Sequence, residues 1–254
     1  MAAVIGINIG YVLLTFVPPV LWLLFYLRED RHPEPKTLLL LTFIGGMASA
    51  LLAMLAEIAV LGGPEMAFSD SSLLRRNVFI FFLVIGLIEE YVKYLPVKFL
   101  VLSRCRDHQK CDFDEPIDAM IYMITAALGF AALENTLFLF PFFKENIYLG
   151  LEVSANRFLG ANLLHALSSG IVGYFLARAF FSPYRHHFVA LGIITAALLH
   201  TIFNYLILVR EALPQGTFYI IFLLSTMAVM VFVDFERLKK ARIIDESPKT
   251  NISE

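Results

Sequence analysis

The stretch that decides the fold is VFIFFLVIGLIEEYVKYLPVKFLVL, running from Val78 to Leu102. As a helix it rises about 37 Å, enough to cross a hydrocarbon core of about 30 Å. Yet Glu89, Glu90 and Lys93 lie near its middle, with Glu89 and Lys93 four apart on one face. An ionised side chain at that depth costs about 2.5–3.5 kcal/mol on insertion scales, so a chain keeps one only with a partner or a task. Lys93 can neutralise one carboxylate. The two glutamates point about 100° apart around the helix.

Working outward, the rest of the chain repeats the apolar half of this pattern. Of 254 residues, 59% are hydrophobic and 17% charged, with mean hydropathy +0.74. A soluble domain carries about 25% charged residues, so the solvent for this chain is the bilayer. A net charge of −2 leaves no basic footprint for nucleic acid, and 24 Phe exclude a disordered chain. Two Cys cannot build a disulfide scaffold.

Apolar windows of about 20 residues fall at Val4–Leu27, Thr37–Leu61, Val78–Leu102, Pro116–Phe143, Phe158–Phe181, Phe188–Val209 and Thr217–Phe235. The predicted fold is all-α and polytopic, about seven transmembrane helices around a polar intramembrane pocket. One helical transmembrane domain over 1–236 is followed by a charged cytoplasmic tail, 237–254. The first span has neither a basic segment before it nor a small-residue cleavage site after it, so it reads as retained. Pro18 and Pro19 predict a kink or break in it. Gly62–Asn77 and Lys144–Arg157 read as mixed connections too short for a soluble domain. Fourteen of the twenty Lys and Arg lie in the odd-numbered connections and tail, and five in the even-numbered ones. This bias predicts an outside N-terminus and a cytoplasmic C-terminus.

Other spans also carry polar groups. The fourth has Phe130 and Glu134 on one face, with Ala126, Ala127, Gly129, Ala131 and Ala132 thinning the helix for close packing. Against an aromatic ring a carboxylate is poorly hydrated, which suits it to proton transfer. The fifth span has His165 with Asn162, Ser168 and Ser169 on its face, and the sixth has His200 and Asn204. With about 1.5 Å of rise per residue, the predicted topology puts Glu89 about 17–18 Å from the outer boundary, Glu134 and His200 about 14 Å, and His165 about 11 Å. Four helices thus bring polar groups to one layer, and a shared water-accessible pocket in the outer half is the economical reading.

Each signal has a structural explanation when taken singly. A buried Glu–Lys pair can fix helix register, and a single membrane His or Asn is ordinary interhelical glue. Three carboxylates and two imidazoles at one depth exceed what packing requires. Glu57, near the outer end of the second span, reads as snorkelling. Asp118 reads as a helix-N-terminal carboxylate, and Ser168 and Ser169 as packing. Cys105, His108 and Cys111 lack a fourth metal ligand and the usual spacing, and read as reduced cytoplasmic thiols. The glycosylation triplet at Asn251 falls in the cytoplasmic tail.

Glu89-Glu90-x-x-Lys93, Phe130-x-x-x-Glu134 followed by Asn135, His165, and His200-x-x-x-Asn204 together resemble the PrsW family of multi-pass membrane proteases. The segment Arg28 to Lys36 is similar to that family's stretch after its first helix, and the likeness covers roughly Tyr26 to Asn204. It implies kinship with the type II CAAX prenyl endopeptidases and bacteriocin-immunity-like membrane proteases. Those relatives carry Glu-Glu-x-x-x-Arg and Phe-x-x-x-His. Here Lys93 stands one residue early and Glu134 replaces the histidine, which fits PrsW and does not point to prenylated substrates.

The resemblance implies cleavage of a membrane-anchored protein, in the family an anti-sigma factor at site 1 of stress signalling. The residues suggest water-mediated hydrolysis, with Glu89 as general base and Glu90 or Glu134 as proton partner. His165 and His200 would hold the water or polarise the carbonyl, Asn204 would bond the oxyanion, and Lys93 would tune the glutamates. The cofactor is either none or a divalent metal such as zinc, with Glu134, His165 and His200 as ligands and Glu89 as base. The competing class is a proton-coupled transporter or channel using the same carboxylates and histidines. A third reading is a scaffold held together by the polar layer.

Overall fold

The computed structural model describes residues 2–30, 32–61, 78–104, 115–180 and 184–245. Among the described residues the chain forms eight α-helices and no strand. They are α1 (Ala2–Tyr26), α2 (Lys36–Leu61), α3 (Val78–Pro96), α4 (Asp118–Glu145), α5 (Ile147–Leu159), α6 (Ala161–Phe180), α7 (Arg185–Val209) and α8 (Gly216–Asp245). Six helical segments are long and apolar enough to cross a membrane. The α3 helix is of similar length but carries the three central charges. The protein is a multi-pass membrane protein, as the apolar windows predict.

The α4 helix is the axis. From Asp118 to Ala132 every residue is buried, and α1, α2 and α6 pack around it. The contacts are backbone to backbone, which is how small residues bind helices in lipid. A Cβ on Gly46 of α2 would lie 2.0 Å from the Ala126 carbonyl oxygen, and one on Gly129 of α4 equally close to that of Phe43. On the other side, a Cβ on Gly173 of α6 would meet the Met120 Cα at 2.6 Å. The α7 helix bridges α3 and α6, and α8 closes the bundle against α6 and α7. Leu13, Leu24, Leu55, Val60, Phe222 and Phe232 stay exposed on the outer faces, where hydrocarbon is the matching solvent.

Four expectations change. Pro18 and Pro19 do not break the first span, since α1 continues through both. Proline removes the amide that would bond the carbonyl four residues earlier. For Pro19 that carbonyl belongs to Thr15, and Asn135 of α4 donates its side-chain amide to it at 3.4 Å. The connection Lys144–Arg157 is mostly helix: Asn146, in extended conformation, accepts from the Tyr148 amide at 2.8 Å and starts α5. The fifth span accordingly begins at Ala161. The end of the third span, Val97–Leu102, winds as a π-helix after Pro96. Finally, α8 continues past Glu236 to Asp245, where Lys239 binds Glu236 of its own helix and Glu29 after α1. Cys105, His108, Cys111, Asn251 and the connection 62–77 lie outside the described residues.

Candidate active site

The middle of α3 turns Glu89, Glu90 and Lys93 inward, and all three are buried. Their spacing of three and four residues places the carboxylates within reach of one ammonium. Lys93 Nζ donates to Glu89 Oε2 at 3.1 Å and to Glu90 Oε1 at 2.9 Å. It also lies 4.4 Å from the centre of the Phe130 ring, a cation–π contact in a desolvated place. Phe130, Val92, Ala50 and Ala53 form the apolar layer next to the charges.

Two imidazoles enter from α6 and α7, their rings edge to face with centres 5.2 Å apart. His165 Nδ1 is 2.7 Å from Lys93 Nζ. An ammonium can only donate, so Nδ1 accepts and the ring proton is on Nε2, which donates to Glu134 Oε2 at 2.8 Å. His200 is the mirror case. Its Nδ1 donates to Glu90 Oε1 at 3.0 Å, leaving the lone pair on Nε2. His165 Nδ1, already accepting from Lys93, and His200 Nε2 both face Glu89 Oε2, at 3.9 and 3.8 Å. Glu90 is further held by Ser168 at 3.0 Å and Ser169 at 3.3 Å.

Glu134, whose side chain is 34% exposed, pairs with Arg157 Nη2 at 2.9 Å. Arg157 comes from the end of α5, and its Nε donates to Asn135 Oδ1 at 2.6 Å. Asn135 donates to Asn162 Oδ1 at 2.9 Å, and Asn162 donates to the Arg157 carbonyl at 3.0 Å. The loop of bonds ties the end of α5 and the start of α6 to α4.

A carboxylate between two oriented imidazoles, deep in an apolar bundle, has the side chains that hydrolysis requires, and the sequence carries a matching relationship. Residues 34–233 match the family model described as PrsW family intramembrane metalloprotease. The chain belongs to the PrsW family. It is 30% identical over 188 residues to Protease PrsW of Geobacillus kaustophilus, covering 74% of each chain. It is 29% identical to Protease PrsW of Bacillus subtilis, over 94% of this chain and 95% of that one. Protease PrsW of Clostridioides difficile is 24% identical over 90% of each. No solved structure matches significantly. This PrsW family member is therefore a membrane-embedded peptidase, and a transporter is not favoured.

The structure brings together Glu89, Glu90, Lys93, Glu134, His165 and His200, all of them singled out in the sequence. Asn204, one turn beyond His200, is half-buried and makes none of the cluster's hydrogen bonds. Phe130 does not shield Glu134 as its spacing suggests; it packs on Lys93 and on the His165 ring at 5.4 Å, while Arg157 takes the carboxylate. Asp118 accepts from the Glu115 amide at 2.7 Å, the helix-start role expected of it. Ser168 and Ser169 are bonded to Glu90 and are not mere packing. Arg157, Asn135 and Asn162 were missed as a set. The available signal was the Asn-Arg pair at 156–157 facing an Asn three residues before His165. Glu57 is half-buried.

Among the described residues, the group able to hold a metal ion is Glu89, His165 and His200, with donor atoms all within 4.8 Å of one another. Glu89 replaces Glu134 in the set expected from sequence, because Glu134 faces the far nitrogen of His165. One carboxylate and two neutral imidazoles suit Zn²⁺. Each imidazole also has its other nitrogen on a carboxylate, the outer support typical of metal-bound histidine. Glu89, Glu90 and Glu134 outnumber Lys93 and Arg157 by one, so the cluster is acidic overall.

Proposed function

We propose that this chain hydrolyses a peptide bond of a membrane-anchored protein, with Glu89, His165 and His200 at the reacting centre. The observation that carries the reading is the convergence of His165 Nδ1 and His200 Nε2 on Glu89 Oε2, each ring held from behind by Glu134 or Glu90 and Nδ1 of His165 also by Lys93. Glu89 Oε1 makes no hydrogen bond among the described residues and is left to accept the proton of the attacking water. His200 Nε2, the ring nitrogen left as an acceptor, would take a hydrogen bond from that water, and His165 holds Lys93 beside Glu89. Glu90, held by Lys93, Ser168, Ser169 and His200, fixes the ring of His200. Asn204 is placed one turn from His200 to bond the developing oxyanion.

Glu89, His165 and His200 are the residues that would hold a divalent ion such as Zn²⁺. When bound, such an ion supplies Lewis acidity and lowers the pKa of its water. The Lys and Arg bias supports an outside N-terminus and a cytoplasmic tail, placing the site in the outer half of the membrane. That location suits a first cut of a single-pass regulator from the outer side, and an anti-sigma factor is the substrate we propose.

The test is cleavage of a single-pass reporter by purified protein in lipid vesicles. Glu89→Gln and His165→Ala should each lower turnover by about 100-fold or more, with folding intact by helical content and size-exclusion profile. Normal cleavage by both folded variants would overturn the reading. Ion flux through the vesicles without cleavage would replace it with transport.

A further inference from the structure

Arg157 has no role in the scheme above, yet it occupies the strongest position outside it. Its side chain is 13% exposed and touches Glu134, Asn135 and, through the guanidinium face, the Phe138 ring at 4.7 Å. All three partners are on α4, whereas Arg157 arrives from α5, the short helix between two spans. The Glu134 oxygen it binds is the one that receives the His165 Nε2 proton. The chain of contacts is therefore Arg157 to Glu134 to His165, and it ends with His165 Nδ1, which accepts from Lys93 and faces Glu89.

We infer that Arg157 is a positioning residue for His165. The guanidinium aims Glu134, Glu134 accepts from His165 Nε2, and the ring is thereby turned so that Nδ1 meets Lys93 and faces Glu89. The amide bonds among Asn135, Asn162 and the Arg157 carbonyl fix the approach of α5, so the guanidinium reaches Glu134 in one geometry. A guanidinium suits the place because its planar fork sets Nη2 beside Glu134 as an ion pair while Nε donates to Asn135. An ammonium offers charge without that fork.

The inference rests on the proposed hydrolytic role of the centre, and its test separates the two. Full-length protein in vesicles is assayed for kcat and KM on the single-pass reporter as wild type, Arg157→Gln, Arg157→Lys, Glu134→Gln and the Arg157→Gln/Glu134→Gln double variant. Carboxylate partners behind metal-bound or reacting histidines are worth about 10- to 100-fold. Arg157→Gln should therefore lower kcat by about that factor with KM within about twofold, and Arg157→Lys should recover part of it. In the Glu134→Gln background the loss of Arg157 should cost nothing further, which a purely structural role would not produce. Wild-type kcat in Arg157→Gln, or losses that multiply in the double variant, would overturn the inference. If Arg157→Gln fails to fold, Arg157→Lys read against Glu134→Gln carries the same comparison, and a lysine variant at wild-type rate overturns the fork. Glu89→Gln run alongside identifies failure of the hydrolytic reading itself, since that variant would then cleave normally.

Discussion

Lys93 Nζ stands 2.7 Å from His165 Nδ1 while also binding Glu89 and Glu90. One fully buried ammonium thus sets the ring proton of His165 and balances two carboxylates. Burying an ion pair gives little net stability, but removing one partner leaves an uncompensated charge. Its role is to make the concentration of acids tolerable.

Lys93→Met should therefore destabilise the protein by about 3–5 kcal/mol. The measurement is thermal or denaturant unfolding in detergent, with Glu90→Gln added as a second substitution. Removing one acid should recover part of the loss. A Lys93→Met protein as stable as wild type would show that the acids are not charged.

Metal removal gives a second outcome. Purified protein should bind about one Zn²⁺ per chain with three protein ligands, chelation should stop reporter cleavage, and returned Zn²⁺ should restore it. His200→Ala should lose the ion, whereas Glu134→Gln should weaken it by about 10- to 100-fold as an outer partner. An ion retained by His200→Ala and lost from Glu134→Gln would restore the ligand set read from sequence.

Ser168 and Ser169 hold Glu90 from α6. A hydrogen bond to a charged group is worth about 1.5–3 kcal/mol. Ser168→Ala at 3.0 Å should cost more than Ser169→Ala at 3.3 Å, read from unfolding midpoints at unchanged helical content. Equal, negligible costs would mean that Glu90 is held by Lys93 and His200 alone.

Gly46→Val should prevent assembly, because its Cβ would sit 2.0 Å from a backbone oxygen that cannot turn aside. Gly10→Ala meets nothing within 4 Å and serves as the control. Yield of monodisperse protein and resistance to trypsin report the difference, and a well-folded Gly46→Val would contradict the backbone contact of α2 with α4.

The spans were legible because apolar length and charge placement are first-order consequences of the bilayer. The Glu89–Lys93 pair and both histidines were legible because an ionisable group among apolar neighbours is conspicuous. Arg157 was not, since an arginine between two spans looks like any loop cation until α5 brings it inward. Ser168 and Ser169 failed for the converse reason: hydroxyls are common helix glue, and only the position of Glu90 on another helix gives them a task. The exchange of Glu89 for Glu134 as candidate ligand depends on which ring nitrogen faces which acid, a matter of rotamers that spacing does not encode.

The Asn135 bond to the Thr15 carbonyl bears on how a peptide reaches the centre. A proline-freed carbonyl turned toward hydrocarbon loses several kcal/mol, and parting α1 from α4 would impose that penalty. The same movement would break the Thr15–Thr136 hydroxyl contact, and the Trp22 bond to the Phe158 carbonyl ties α1 to α5 as well. That seam is latched at Thr15 and again at Trp22, so a peptide does not reach the centre between α1 and α4 without that penalty.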